Sequence, residues 1–166
     1  MNESSTTNFE IAPATWRDFR EILALERRCF TRDPWPWIDV LAALTFPETV
    51  RLKAVTPPAD GPAAEADGVR PVGFVIGDRK PREHLGWIAS IGVDPNYQRR
   101  GIGWELLRAC ERELGMPSVR LTLRQSNRGA WLLYNRAGYV EIDRALRYYN
   151  DGEDAIVMEK RVGAPA

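Results

Sequence analysis

Apolar and polar positions along the chain change period several times, and each change marks an element. Phe9-Glu10-Ile11 alternates and predicts a short first strand. Thr15-Trp16-Arg17-Asp18 has the form of a capping box. It should open a helix carrying Phe19, Ile22, Leu23 and Leu25-Glu26 at helical spacing and running out near Phe30. Asp33-Pro34-Trp35-Pro36-Trp37 breaks that pattern, because each proline fixes its own φ and biases its predecessor away from helix. A second helix is expected from about Ile38 to Leu44. Arg51 to Thr56 and Val72 to Gly77 read as paired strands joined by a breaker-rich hairpin loop, Pro57 to Gly68. Leu85 to Val93 is a strongly apolar strand ended by Asp94-Pro95-Asn96. Trp104, Leu106, Leu107, Cys110 and Leu114 recur at three and four, predicting an amphipathic helix closed by Gly115 and Pro117. Val119 to Leu123 alternates as a strand and Ala130 to Ala137 is a short helix. Tyr139 to Tyr149 and Ala155 to Arg161 are two further strands around an Asn150-Asp151-Gly152 turn.

The order βααβββαβαββ implies a mixed sheet with helices packed on its faces, an α+β three-layer architecture. With 166 residues the chain suits one domain, residues 1–166, with a core of about 8–161 and loose tails at 1–7 and 162–166. Its 23 basic and 23 acidic side chains cancel, which leaves no electrostatic footprint for nucleic acid or an anionic membrane. The polar start, Met1 to Thr7, and the lack of any long apolar run point to a cytoplasmic protein that neither spans nor binds a membrane. Cys29 and Cys110 stand far apart without a CxxC partner, so no metal site or disulfide framework is expected and both read as buried thiols. Trp16, Trp104 and Trp131 fall on predicted helices and are expected in the core.

The segment with chemical content runs from Val93 through Gly103, a strand passing through a turn into a helix. A helix start leaves N–H groups unpaired and carries roughly half a positive charge, a geometry suited to phosphate. Gly101 and Gly103 would let the backbone approach the anion; Arg99 and Arg100 either add charge to it or face solvent. The same glycines would equally suit a loop that binds nothing. No Gly-Lys-Ser/Thr follows for a P-loop, and Leu106 stands where a dinucleotide fingerprint needs its third glycine.

Gln98-Arg99-Arg100-Gly101-Ile102-Gly103 resembles the Q/R-x-x-G-x-G/A motif of the GNAT acyltransferases. Leu123-Arg124-Gln125-Ser126-Asn127-Arg128-Gly129-Ala130, with Tyr134 and Gly138-Tyr139, is similar to the second signature of that family. Cys29-Phe30 through Pro34-Trp35, and Arg147-Tyr148-Tyr149 with Gly152 to Met158, further resemble the RimI-type protein N-terminal acetyltransferases. The resemblance covers about Ile11 to Arg161. It implies the GNAT fold, a mixed, mostly antiparallel sheet of six to seven strands with helices on both faces, and acetyl-coenzyme A as cosubstrate. It also implies that Ile91, Gly92 and Val93 splay from the neighbouring strand to bind the acetyl carbonyl and pantetheine arm, and that Arg99, Arg100, Gly101, Ile102, Gly103 and Trp104 cradle the pyrophosphate. Asn127 would bond the cofactor arm and Tyr134 would be the general acid at the sulfur. Outside that context Tyr134 reads as an ordinary core aromatic. Trp35, Tyr148 and Tyr149 would flank the acceptor, a protein or peptide N-terminus, or else form a surface aromatic cluster. The resemblance is compatible with a monomer or a homodimer.

Two positions depart from the family pattern. Thr122 stands on the strand before Ser-Asn where relatives often carry Glu or His, and Trp87 stands where some place Glu or Tyr. Both usual base positions are therefore empty, and His84, Glu83, Glu141 and Asp143 read as surface groups. An α-amine of pKa about 7.7 to 8 is roughly a fifth to a third unprotonated near pH 7.4, a lysine only about a thousandth. The weak base set thus favours an α-amine acceptor. Direct attack in a ternary complex is expected, without a covalent intermediate on Cys110, which lies on an apolar helix stripe. Rival expectations are acetylation of a small amine and coenzyme A binding with weak or lost catalysis.

Overall fold

The computed structural model describes residues 9–56 and 70–163; the breaker-rich loop, the expected tail 1–7 and residues 164–166 of the other tail lie outside them. At the first helix the capping box forms: Thr15 N–H donates to Asp18 Oδ2 at 2.8 Å and Arg17 N–H to Thr15 Oγ1 at 3.3 Å. The turn it opens is a 3-10 turn, Trp16–Asp18, and α1 proper runs Phe19–Cys29. Trp16 is 63% exposed there, with Arg17 over its ring, which corrects the core assignment: a single 3-10 turn has no inward face to bury an indole. Trp104 and Trp131 do pack against the core. The Pro-Trp-Pro break separates α1 from α2, Trp37–Thr45.

The remaining elements are β1 (Glu10–Pro13), β2 (Thr49–Val55), β3 (Pro71–Lys80), β4 (Leu85–Val93), α3 (Ile102–Leu114), β5 (Ser118–Arg124), α4 (Arg128–Arg136), β6 (Val140–Ala145) and β7 (Ala155–Arg161). The described strands form one sheet in the order β1-β2-β3-β4-β5-β7-β6. Every pairing is antiparallel except β4 with β5. One face of β3 sends Phe74 and Ile76 into a cluster with Ile22, Leu25, Val40 and Leu44 of α1 and α2. The other face packs Val75 against Ile102, Leu106 and Leu107 of α3, in a cluster that Tyr134 and Ala137 join from the α4 end. The sheet is thus buried on both sides at its centre, the three-layer arrangement that the element order implied. A Cβ at Gly73 would lie 2.9 Å from Leu106 Cδ1 and one at Gly77 2.8 Å from Cys110 Sγ, so these glycines allow α3 to lie flat on the sheet.

Several boundaries differ from expectation. β3 continues to Lys80. β6 stops at Ala145 instead of reaching Tyr149, because Arg147 adopts a left-handed φ of 51° and its N–H donates to Asp154 Oδ1 at 2.8 Å, which folds residues 146–154 into a loop. Val162 is tied to Pro117 by a 2.9 Å backbone bond and packs on the core, so the chain is held one residue past the expected tail boundary. No helix among the described residues is long and apolar enough to cross a membrane.

Candidate active site

β4 and β5 run in register from Leu85–Ser118 to Ile88–Leu121 and then part. Each keeps its outer neighbour: Ile91, Gly92 and Val93 stay on β3, opposite Val75, Phe74 and Gly73, while Thr122 and Leu123 stay on β7. A bulge at Ala89, between the Ile88–Gly77 and Ser90–Ile76 pairs, bends β4 where the parting begins. The result is a wedge in the middle of the sheet with a cavity of about 540 Å³. Main-chain groups on its inner edges have no strand partner and are free to bind an extended ligand.

Beyond Val93 the chain enters the turn. Asp94 is buried and organises it, accepting from Asn96 N–H at 3.0 Å and from Arg28 Nε of α1 at 3.1 Å. Gln98 Nε2 donates to Val93 O at 3.2 Å. Arg99 and Gly101 both take left-handed φ, 64° and 84°, and the first helical bond of α3 is Glu105 N–H to Gly101 O at 3.1 Å. The N–H groups of Ile102, Gly103 and Trp104 therefore precede the ladder and have no acceptor within the helix. Arg100 does not stand free: it donates to Asn96 O at 3.1 Å and lies over the Tyr97 ring, so its side chain braces the turn. Arg136 of α4 lies over Trp104.

The cavity walls bring together Ile91, Asn127, Tyr134, Trp35 and Tyr149 from the sequence-derived set, and add Glu26, Cys29, Phe30 and Thr122. Tyr134 is 6% exposed; burial pushes its phenol above the ordinary value, with Tyr149 adding to the effect. Asn127 caps α4, its Oδ1 accepting from Ala130 N–H at 3.1 Å, so its amide NH2 is what remains for a ligand. Tyr148 meets Tyr149 edge-on but is exposed and outside the cavity wall. Gly92, Val93 and the turn residues 99–104 are likewise outside it, at the outer end of β4.

Two residues were not singled out by sequence reasoning. Arg124, at the end of β5, pairs with Asp33 from the α1–α2 loop and with Asp151 at 3.0 Å and Glu153 at 2.6 Å from the β6–β7 loop, and stacks on the Tyr149 ring at 3.9 Å. It ties together the two loops that flank the cavity. Glu26 is 1% exposed; its Oε1 accepts from Trp35 N–H at 2.9 Å. Its Oε2 has no hydrogen-bond partner among the described residues. Burial pushes its carboxyl above the usual glutamate range, against the lowering effects of the Trp35 bond and Arg27. The available signal was its place on the buried stripe of α1, four residues after Ile22.

Thr122 is in the cavity wall, as the empty base position requires, whereas Trp87 lies on the paired half of β4 beneath Lys80. His84, Glu83, Glu141 and Asp143 all lie away from the cavity. Cys110 is buried on the inner face of α3, but Cys29 faces the cavity, which revises its reading as a simple core thiol. Burial and Asp94 push its thiol up to about 12, so it stays protonated and is a poor nucleophile. No cluster of metal-ligating side chains occurs among the described residues.

The model of the Acetyltransferase (GNAT) family matches residues 16–139. The chain is 30% identical over 169 residues to the N-alpha-acetyltransferase RimI of Mycobacterium tuberculosis, covering 98% of this chain and 99% of that protein. It is 43% identical over 75 residues to the [ribosomal protein bS18]-alanine N-acetyltransferase of Escherichia coli, 42% of this chain and 51% of that one. The crystal structure of the ribosomal-protein-S18-alanine N-acetyltransferase from Escherichia coli superposes with a TM-score of 0.79 at 25% identity, covering 96% of this chain and 97% of the other.

Proposed function

The chain belongs to the GNAT acetyltransferase family, and from that premise we propose that it moves an acetyl group from acetyl-coenzyme A to the N-terminal α-amine of a protein or peptide. The observation that carries the reading is the wedge between β4 and β5, with partnerless main chain on one side and the open start of α3 at its outer end. The donor fits that site. The amides of residues 102–104 and the glycine turn hold the diphosphate, with Arg99 at its edge. The free edge of Ile91 to Val93 takes the pantetheine amides in strand fashion and Asn127 donates from the facing side. This directs the thioester toward Tyr134.

Tyr134 keeps its proton in the closed site and donates it, or a hydrogen bond, to the departing sulfur. A thiol near 8.5 and a phenol near 10 are mismatched in water, and burial raises the phenol further, so the hydrogen bond stabilises the departing sulfur and the proton crosses as the nitrogen resupplies the phenol. The acceptor enters between the loops that Arg124 joins, past Trp35 and Tyr149, with Tyr148 at the rim. Holding amine and thioester in one cavity supplies most of the acceleration that such a reaction needs.

The test is incubation of the purified protein with labelled acetyl-coenzyme A and a panel of peptides with free α-amines, α-blocked lysine peptides and polyamines. Label transfer confined to free α-amines is the expected result. Transfer confined to polyamines or to lysine would overturn the acceptor assignment.

A further inference from the structure

We propose that Glu26 is the proton acceptor for the incoming ammonium group, working through one water from the wall of the cavity. The inference rests on the acetyl-transfer reading above and supplies the base that Thr122 and Trp87 do not.

A carboxylate oxygen that is buried and unbonded costs about 1 to 3 kcal/mol or more, so it calls for a partner that arrives with the ligand. Glu26 has one such oxygen, Oε2, while Oε1 is committed to Trp35 N–H at 2.9 Å. That bond fixes the carboxyl plane and ties it to the loop over which the acceptor must pass. The other charged and titratable groups around the cavity are accounted for. On α1, Arg27 is the neighbouring cation and Cys29 stays a thiol. From the flanking loops and β5, Arg124 is shared by Asp33, Asp151 and Glu153, and Arg32 reaches Glu153 at 3.8 Å. Tyr134 and Tyr149 stay phenols, the latter pushed up to about 12 chiefly by burial. Glu26 is the carboxyl whose second oxygen is left open to accept a proton. Glu26 lines the cavity but its Oε2 is covered, so the intermediary is a water that enters the wall with the acceptor.

The step balances. The ammonium nitrogen gives one proton to the water, which passes one of its own to Oε2. The freed lone pair forms the C–N bond at the thioester carbonyl, and the C–S bond breaks with its electron pair on sulfur. The second nitrogen proton replaces the one that Tyr134 delivers to sulfur, and Glu26 returns its proton to solvent.

The test uses Glu26→Gln, whose amide oxygen can still accept from Trp35 N–H and which fills almost the same volume but does not titrate. With a peptide carrying a free N-terminal alanine at pH 7, kcat should fall at least about tenfold. The acetyl-coenzyme A Kd should be unchanged, and the deficit should close as pH rises above about 8, where the α-amine loses its proton unaided. Without any ligand, the melting temperature of the variant relative to wild type should rise with pH. The raised folded pKa means that Glu26 contributes stability while protonated and loses it as pH climbs through that value, whereas Gln does not. In the wild type alone, the acid limb of kcat should fall below the free pKa of the acceptor amine. An E26Q enzyme with wild-type kcat and pH profile, a flat melting difference, or a wild-type limb at the amine's own pKa would overturn the proposal. Full E26Q activity on the peptide removes the proton role and leaves the acceptor assignment standing. A tenfold loss seen only with a polyamine acceptor supports the proton role and removes that assignment.

Discussion

Gly101 and Gly103 are one residue apart, yet replacing each with alanine should have opposite consequences. At Gly101 φ is +84°, and a Cβ would meet nothing within 4 Å: it would point into open space, which the proposed function gives to the diphosphate. The conformational cost of a left-handed alanine is about 1 to 2 kcal/mol. For a chain of this length that lowers Tm by roughly 2 to 8 °C. The larger effect falls on the ligand. Either the methyl group occupies the anion's place or the turn relaxes and its amides swing away. Loss of one hydrogen bond to a charged group is worth about 1.5 to 3 kcal/mol, which is roughly 10- to 150-fold in Kd. At Gly103 a Cβ would rest 3.6 Å from Leu133 Cδ2 and 3.6 Å from Val93 Cγ2, ordinary contacts on the protein side. Alanine there should add about 0.5 to 1 kcal/mol of helix preference and leave binding within twofold. Calorimetric titration of both variants with coenzyme A, and with pantetheine as the ligand that lacks the diphosphate, separates the contributions. Gly101→Ala should weaken coenzyme A and spare pantetheine. Equal coenzyme A affinity in Gly101→Ala and wild type, or an equal loss in both variants, would refute the cradle geometry.

Two further substitutions probe the chemical and acceptor ends. Tyr134→Phe should lower kcat by about 100-fold or more while leaving the acetyl-coenzyme A Kd unchanged; steady-state rates within threefold of wild type would remove its role at the sulfur. Arg124→Gln should raise the acceptor KM about tenfold, in line with the loss of hydrogen bonds to charged groups, without moving coenzyme A affinity, because the ion-pair partners of Arg124 lie on the acceptor-side loops. The carboxyl of Asp151, through the Glu153 N–H and Arg124, and that of Glu153, through Ser126 and Arg124, are held below the usual range. Their contribution to stability is therefore present above the ordinary carboxylate pKa and fades as pH falls through the lowered values, so Arg124→Gln should flatten the acid side of the Tm–pH curve. A KM unchanged from wild type would show that the loops hold their places without it.

What the sequence displays is local. The anion turn is legible because its ingredients, Pro95, Gly101 and Gly103 before an amphipathic run, act within ten residues of one another. The wedge is legible only through the family resemblance, because it arises where two strands separated by α3 stop pairing, and the residue pattern of Ser90 to Val93 and of Thr122 to Arg124 does not itself mark the parting. Arg124 reads as the polar end of an alternating strand; its partners stand at positions 33, 151 and 153, and the chain folds them around it. The alternating run to Tyr149 predicts strand, but the left-handed Arg147 and the Asp154 side chain pull residues 146–154 out of the sheet and toward the cavity. Glu26 was legible in part: a carboxylate at i+4 from a buried isoleucine on an otherwise apolar stripe is a local conflict, and such conflicts concentrate at functional sites.

The choice of acceptor can then be argued from proton free energies. Each pKa unit above the working pH costs about 1.4 kcal/mol to deprotonate the nucleophile. At pH 7.4 that is under about 1 kcal/mol for an α-amine and about 4 kcal/mol for a lysine. Glu26 works from the cavity wall through a water, and Thr122 offers only a hydroxyl. Such a base can hold a proton that the nucleophile gives up readily; it lacks the direct contact needed to extract one bound about 2.5 pKa units more tightly. Moving a carboxylate to position 122, on the cavity wall itself, should therefore speed lysine transfer far more than α-amine transfer. Equal acceleration of both acceptors by Thr122→Glu would show that proton removal does not set the preference, and that the shape of the entrance between Trp35 and Tyr149 does.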